Sequence, residues 1–295
     1  MRRSRTVLAG MLGSLSLVTS AATAQGGTDV WVVSLSGSNN TLSVGRPVNL
    51  TKRPGYDNQP AFTADGKAVL FTSIRDDGPS DIWRVALDGS AATPFTRTPQ
   101  SEYSATLMPD GRGVSVIRVE LPDSTQRLWA FGPDGSAERV ILPGLEPVGY
   151  HVWVGGSNIG AFVLGNPNAL VLANPQTERV DTLARGIGRA FARVPGREAF
   201  TFVMAYRDSA VIHEVDVRTA AVRRLFPVPQ GGEYHVWTKD GALIASAGSR
   251  LYLRVDDRWD VLADLAAYGA RGITRLALSP AGDAIAFVAD EGPAR

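Results

Sequence analysis

Four short apolar segments separated by turn residues form a pattern that repeats along most of the chain. In the first copy, the segment before Asp65-Gly66 is followed by residues 68–72, an acidic loop, residues 82–87 and the turn Asp88-Gly89. Aligning the copies on the residue that ends each first segment gives the anchors Phe62, Leu107, Trp153, Ala192, Trp237 and Leu278. The anchors are 45, 46, 39, 45 and 41 residues apart. A period of about 40 residues with four strands per unit is typical of β-propeller blades.

The alternation inside each segment favours strands over helices. Apolar residues recur at about every second position, whereas an amphipathic helix places them at a period of 3.6. The chain also contains 31 Gly and 18 Pro, which is too many for long helices. Short strands of this kind could also build an open solenoid or a β-sandwich.

The two ends of the chain carry complementary halves of one repeat, which favours a closed ring. Only two segments, residues 275–278 and 284–287, follow the fifth copy. Near the N-terminus, residues 29–33 and 47–51 match the third and fourth segments of the other copies. Neither an open solenoid nor a sandwich explains this complementarity.

We therefore predict an all-β, six-bladed propeller with five continuous blades and one composite blade. The composite blade pairs the N-terminal strands (29–51) with the C-terminal strands (272–290). Such closure removes an exposed sheet edge, which would otherwise be open to pairing with other chains.

The order of motifs within the repeat also points to a known family. An apolar strand, Pro-Asp-Gly or Ala-Asp-Gly, a second apolar strand, Asp-Ile-Trp and Asp-Gly follow one another most clearly in residues 59–96 and 102–142. Two later copies have Gly155-Gly156 and Pro195-Gly196 in place of Asp-Gly. The pattern resembles the TolB-type, WD40-like propeller repeat. This resemblance implies a periplasmic protein-binding module, here without the N-terminal α/β domain that TolB carries.

The first residues have the three parts of a secretory signal peptide. Arginines at positions 2, 3 and 5 precede the apolar stretch 7–18, and Ala22-Thr23-Ala24 forms a small-residue cleavage site. The apolar stretch is short for a membrane span, which needs about 20 residues. We predict a cleaved signal peptide over 1–24, a single propeller domain over 25–295, and a periplasmic or secreted protein. An uncleaved anchor helix is the alternative.

Composition and missing motifs exclude several classes of function. The formal net charge is +1, and loss of the three leader arginines changes it to −2, so no strong field attracts nucleic acid or an anionic membrane. The absence of Cys excludes disulfides, thiolate metal sites and a Cys nucleophile. No second run of about 18 apolar residues follows the leader. The nucleophile motif Gly-x-Ser-x-Gly, a Walker loop and a dinucleotide fingerprint are also absent.

A candidate site appears three positions before the anchors, where every copy has a polar or an aromatic residue. These residues are Gln59, Ser104, Tyr150, Arg189, Tyr234 and Arg275. Because the first strand of each blade lines the central channel, we expect them to form a ring near a channel mouth. A concave site with a few converging polar groups is the usual place for a ligand.

Two of the three histidines accompany this ring. Tyr-His-Val-Trp occurs at 150–153 and again at 234–237, which places His151 and His235 on the blades that flank Arg189. Together with Arg189 they could bind a carboxylate, and no third His is available there for a three-His metal site. The alternative is that the duplicated motif reflects repeat ancestry, with its Tyr and His packing between blades. His213 lies instead in an aromatic column of third strands with Trp31, Trp83, Trp129 and Tyr252, which is a packing position.

The predicted function is that of an exported, non-enzymatic propeller that binds a protein, a peptide or a cell-envelope component, with a preference for anionic partners. The predicted ligand-binding residues are Gln59, Tyr150, His151, Arg189, Tyr234, His235 and Arg275. We predict no catalytic residue, metal or cofactor, and a monomeric protein. One alternative is an enzyme acting in the channel, a lyase or lactonase-like hydrolase with His151 or His235 as general base. Another is a small-molecule or sugar sensor with Tyr150 and Tyr234 as stacking platforms.

Overall fold

Antiparallel sheets make up nearly all of the regular structure, and six of them are arranged as blades around one axis. The computed structural model describes residues 27–136, 138–207 and 209–291. The predicted signal peptide lies outside these residues. No helix in the described ranges is long and apolar enough to cross a membrane.

Blades 1 to 5 are each built from one continuous stretch of chain. Blade 1 consists of β4 (Asp57–Phe62), β5 (Ala68–Ile74), β6 (Ser80–Ala86) and β7 (Thr93–Pro94). Blade 2 consists of β8 (Ser101–Leu107), β9 (Val114–Val119), β10 (Gln126–Phe131) and β11 (Arg139–Val140). Blade 3 consists of β12 (Val148–Val154), β13 (Asn158–Val163), β14 (Ala169–Asn174) and β15 (Arg179–Arg185). Blade 4 consists of β16 (Ile187–Arg193), β17 (Ala199–Tyr206), β18 (Ser209–Asp216) and β19 (Val222–Pro227). Blade 5 consists of β20 (His235–Trp237), β21 (Leu243–Ala247), β22 (Arg250–Val255) and β23 (Arg258–Asp264).

Blade 6 combines the two ends of the described chain, as the complementary half-repeats predict. Its inner strands are β24 (Thr274–Leu278) and β25 (Ala284–Asp290), and its outer strands are β1 (Thr28–Ser36), β2 (Ser43–Val44) and β3 (Val48–Asn49). Seven residue pairs, from Thr28–Asp290 to Ser34–Ala284, join β1 to β25. The predicted fold and its closure are therefore confirmed. The strand β2 and the short 3₁₀ turn at Asn39–Thr41 before it were not foreseen, and a second such turn lies at Ala266–Tyr268.

The hydrophobic core lies between the blades. Six buried apolar clusters occur in the described part of the chain, and each combines side chains of two neighbouring blades. At the closure, Val30 and Ala286 of blade 6 pack with Phe62 and Phe71 of blade 1. Because strand alternation gives every blade two faces, the apolar residues of each blade serve two interfaces, and closing the ring buries both faces of all six.

The first strands of successive blades contact one another and surround the central channel. They all run in the same direction along the channel axis, since each blade repeats the same strand order. We call the end at which these strands begin the upper mouth and the opposite end the lower mouth. The ring predicted from the sequence lies on these strands or immediately before them.

Candidate functional site

The central channel narrows where the predicted ring lies. All six ring positions line one cavity of about 120 Å³, which we call the waist. The waist residues are Gln59, Ser104, Tyr150, Arg189, Tyr234 and Arg275. The structure thus brings the predicted ring together, while its role in binding stays a prediction.

Three waist residues have a backbone conformation that is unusual for residues other than glycine. Gln59, Ser104 and Arg275 have φ angles of 55°, 55° and 56°. Each lies at a register shift between the first and second strands of its blade. Left-handed non-glycine residues of this kind cost on the order of 1 kcal/mol each and cluster at functional sites. Here the bulges place three side chains of consecutive blades, 6, 1 and 2, at the channel axis.

Arg275 crosses the waist and lies between two tyrosines of the duplicated motif. Its guanidinium carbon is 4.6 Å from the ring centroid of Tyr150 and 4.9 Å from that of Tyr234. Its Nη2 donates a hydrogen bond of 3.0 Å to the Tyr150 hydroxyl. Cation–π contacts of this kind favour a guanidinium over an aromatic face. In the described ranges no Asp or Glu forms an ion pair with Arg275.

Above the waist, the channel widens into a cavity of about 440 Å³ with an aromatic lining. Tyr56, Tyr103, Tyr150 and Phe162 line it together with Arg189. Three amide side chains, those of Gln59, Gln126 and Asn168, also border it. The cavity volume lies in the range of about 300–1,000 Å³ that is usual for ligand sites.

Tyr56 and Tyr234 are neutral hydrogen-bonding groups near Arg275. Burial raises the pKa of Tyr56 and of Tyr234 to about 12, although the nearby Arg275 charge opposes the increase. Tyr56 and Tyr103 were not foreseen as site residues. Tyr103 immediately precedes a ring position and Tyr56 lies three residues before one. Tyr103 lies next to the bulge of its strand, which the sequence pattern does not reveal, and Tyr56 lies just before β4.

Gln59 is held rigidly at the waist. Its Oε1 accepts hydrogen bonds from the Thr72 hydroxyl at 2.8 Å and from the backbone N–H of Ser104 at 3.1 Å. Ser104 Oγ is buried without a hydrogen-bond partner in the described part of the protein. Blades 1 and 2 are therefore linked at the axis, and an unsatisfied hydroxyl remains beside the cavity.

His151 and His235 lie between blades rather than in the open channel. His151 is 7% exposed, and its Nε2 forms a hydrogen bond of 2.6 Å with Ser115 Oγ of the preceding blade. Trp153 Nε1 donates to the same oxygen at 2.8 Å. His235 borders the waist but is only 2% exposed.

His235 repeats this arrangement one blade pair later. Its Nε2 lies 2.8 Å from Thr201 Oγ1, to which Trp237 Nε1 donates at 3.0 Å. We call each set of histidine, hydroxyl and tryptophan an interblade triad. The two triads therefore tie blade 2 to blade 3 and blade 4 to blade 5.

Burial keeps both triad histidines uncharged. It lowers the pKa of His151 to about 3 and that of His235 to about 4. For His235 the Glu233 backbone opposes the decrease, which is consistent with its smaller shift. Neither imidazole can supply positive charge to the channel near neutral pH, so Arg189 and Arg275 are the cations of the waist.

Other features bear on catalysis and metal binding. The Ser115–His151 contact has the spacing of a nucleophile and its base, but Ser115 is completely buried. His213 packs beside Phe202, with ring centroids 5.4 Å apart, on a third strand as expected. No group of three His, Asp or Glu side chains that could hold a metal ion occurs among the residues described.

Comparison with known proteins supports the resemblance seen in the repeat. No protein-family model matches the chain. A segment of 63 residues is 38% identical to the Tol-Pal system protein TolB of Bordetella pertussis. This match covers 21% of the present chain and only 13% of that relative.

Solved structures extend the similarity to the whole fold. A putative TolB from Agrobacterium tumefaciens superposes with a TM-score of 0.69 at 16% identity, covering 90% of this chain and 99% of the other. A gluconolactonase from Xanthomonas campestris gives 0.62 at 10% identity, covering 88% and 95%. An oligogalacturonate lyase in complex with manganese gives 0.56 at 15% identity, covering 83% and 80%. At such identities the likeness concerns the fold alone. In its repeat sequence and its fold, the chain is a TolB-like six-bladed β-propeller.

Proposed function

We propose that the protein is an exported, non-catalytic propeller that binds a protein or peptide at its upper mouth, where an acidic group of the partner reaches Arg275. The observation that carries the proposal is the charge of Arg275, which lies at the waist without a carboxylate partner among the described residues. A guanidinium has five N–H donors, and the Tyr150 hydroxyl accepts from one of them. Enclosed cations are normally paired with an anion, so the waist is suited to accept one.

The surroundings of Arg275 are those of a recognition surface. Four of the seven tyrosines in the chain, Tyr56, Tyr103, Tyr150 and Tyr234, lie in the upper mouth or at the waist. Tyrosine offers both an apolar ring and a hydroxyl, and it is enriched at protein interfaces. Arg189 is exposed and adds a second cation, while the nearby Glu233 carboxylate accepts the backbone N–H of Arg189. Arg189 and Arg275 together outweigh the single negative charge of Glu233, so the net charge around the waist is positive.

Two independent features support a location in the cell envelope. The N-terminal 24 residues have the composition of a cleaved leader. The matched relatives are Tol-Pal system proteins, and a propeller of nearly the same extent is a putative TolB. These similarities favour a binding role in the cell envelope.

The enzyme alternative has less support from the site. The gluconolactonase and lyase share only the fold. Both histidines considered as general bases are enclosed in interblade triads. A general base must come within about 3 Å of the heavy atom whose proton it removes. Among the described residues, the waist cavity has no carboxylate in its lining.

An array of acidic hexapeptides tests the proposal, each paired with a counterpart in which Asn and Gln replace Asp and Glu. We expect the purified protein to bind acidic members at least about tenfold more tightly than their neutral counterparts. Arg275→Gln should remove most of this preference, because only Arg189 then supplies positive charge at the waist. Arg275→Lys should keep more of it, and the exposed Arg112→Gln should not alter it. An acidic preference that is undiminished in Arg275→Gln, or no preference at all, overturns the proposal.

A further inference from the structure

Below the waist the channel opens into a second cavity of different chemistry. This lower pocket has a volume of about 520 Å³ and shares Thr106, Phe191 and Leu276 with the waist. Arg275, whose guanidinium contacts the rings of Tyr150 and Tyr234, lies between this pocket and the tyrosine-lined upper mouth. A ligand in the lower pocket would therefore be recognised by other residues than a ligand at the upper mouth.

The lining of the lower pocket is mostly apolar. Val194, Val236, Trp237 and Leu278 contribute to it, in addition to Phe191 and Leu276, which also line the waist. Trp237 is held in place because its Nε1 donates to Thr201 in the second interblade triad. The indole is thus fixed as part of the wall, while the turns that follow β16 and β20 complete the lining.

Two cations, Arg193 and Lys239, stand at the rim of this apolar cavity. Both residues are exposed, and neither forms an ion pair within the described ranges. Gly282 makes room for the Lys239 stem: a Cβ at this glycine would lie 3.2 Å from Lys239 Cδ. The Lys239 stem therefore lies against the turn of blade 6 that contains Gly282.

Carboxylates near the rim are bound to neutral donors instead of these cations. Asp240 accepts hydrogen bonds from the Thr238 hydroxyl at 2.5 Å and from the Asn39 backbone N–H at 2.7 Å. Asp283 accepts from the Ser279 hydroxyl at 2.7 Å. Within the described ranges, no Asp or Glu lines the pocket itself. An apolar cavity with cations at its opening complements a ligand that has an apolar body and one anionic end.

We propose that the lower pocket is a second binding site, independent of the upper mouth, for an amphipathic carboxylate such as a medium-chain fatty acid. The alkyl chain would pack between Phe191, Trp237 and Leu278, and burial of apolar surface would supply most of the affinity. The carboxylate would stay at the rim, where Arg193 and Lys239 bind it with the solvent access that an anion needs.

Isothermal titration calorimetry with decanoate, below its micelle concentration, tests this proposal on the full-length mature protein. We expect saturable binding at one site and binding of decanol at least about tenfold weaker, because the alcohol lacks the charge. The double variant Arg193→Gln/Lys239→Gln should lower the affinity for decanoate about tenfold without changing that for decanol.

The matched control is Lys67→Gln/Arg112→Gln, which removes the same charge from exposed residues outside the pocket lining. It should bind decanoate as the unmodified protein does, and so should Arg275→Gln, which disables only the upper mouth. Equal affinity for decanoate and decanol, no binding of decanoate, or the same loss in the control overturns the proposal. A failure of peptide binding at the upper mouth would leave these results unchanged, so the two sites are tested separately.

Discussion

Acidification should destabilise the protein through the two interblade triads. His151 and His235 are buried and bound to the Ser115 and Thr201 hydroxyls, and burial lowers the pKa of each imidazole from 6.5 to about 3 and about 4. In the unfolded chain both imidazoles regain water and titrate near 6.5. The unfolded state therefore binds more protons than the folded state between these values, so the free energy of unfolding falls as the pH is lowered through this interval.

The size of the effect follows from the two pKa values of each histidine. The stabilisation is complete above about pH 6.5 and is lost progressively as the pH falls towards the folded-state pKa. At about pH 4.5, linkage gives a loss of about 2–3 kcal/mol for each histidine relative to neutral pH. Two triads together would then remove about 5 kcal/mol, a large fraction of the stability of an ordinary domain.

Two buried carboxyl groups act in the opposite direction and must be separated from the histidines. Burial raises the pKa of Asp57 and of Glu102, so the folded state favours their protonated forms and their contribution improves as the pH falls. Comparison with His151→Gln/His235→Gln isolates the imidazoles, since glutamine keeps a polar group near the position of Nε2 but does not titrate. The carboxyl groups are the same in both proteins.

Urea unfolding followed by tryptophan fluorescence, from about pH 7 to about pH 4.5, measures the difference. The double variant should be less stable at neutral pH, and its disadvantage should shrink by about 2–3 kcal/mol per histidine at the acidic end. Each single variant should show about half of this change. Parallel curves for the double variant and the unmodified protein would refute the reasoning, because they would mean that both imidazoles titrate normally in the folded state.

Two further predictions concern the ends of the chain. Deleting residues 25–51 removes β1, β2 and β3 and exposes one edge of β25, so the product should aggregate or unfold. A monomer with an unchanged Tm would contradict the closure. Mass spectrometry of the protein from an envelope fraction should find Gln25, free or cyclised, at the N-terminus, whereas recovery of Met1 on a soluble cytoplasmic protein would contradict export.

The blade count could be obtained from the sequence because it depends on a pattern repeated many times. Each blade has its own alternation and turns, so an uncertain segment such as β20, which has only three residues, is identified by its place in the repeat. The complementary ends then give the sixth blade. Local additions such as β2, which pairs only with the last two residues of β1, have no counterpart in other copies and therefore no signal.

The candidate site was only partly accessible from the sequence. Aligning the first strands was enough to identify six residues that line the waist, and five of them are equivalent positions that meet around the axis. In blade 4, Ala192 pairs with Thr201 as Thr106 pairs with Ser115 in blade 2, so Arg189 lies one residue before the equivalent position. The direction of the neighbouring side chains could not be predicted from this alignment, because it depends on the bulges at Gln59, Ser104 and Arg275. These bulges turn successive residues away from strict alternation, so Tyr103 reaches the upper mouth beside Ser104. Strict two-residue periodicity assigns such neighbours to opposite faces.

The His and Trp of the duplicated Tyr-His-Val-Trp motif have a different structural role from its Tyr. The partners of this motif lie at one equivalent position in the second strand of each blade. The six residues at that position are Leu70, Ser115, Gly160, Thr201, Ile244 and Ala286, of which only Ser115 and Thr201 have a hydroxyl group. The blades that follow Ser115 and Thr201 are those with the motif, and their His and Trp bind these hydroxyls. Interblade packing therefore accounts for the histidine and the tryptophan. It does not account for Tyr150 and Tyr234, whose rings face Arg275 at the waist, and so the tyrosines are the part of the motif that points to binding.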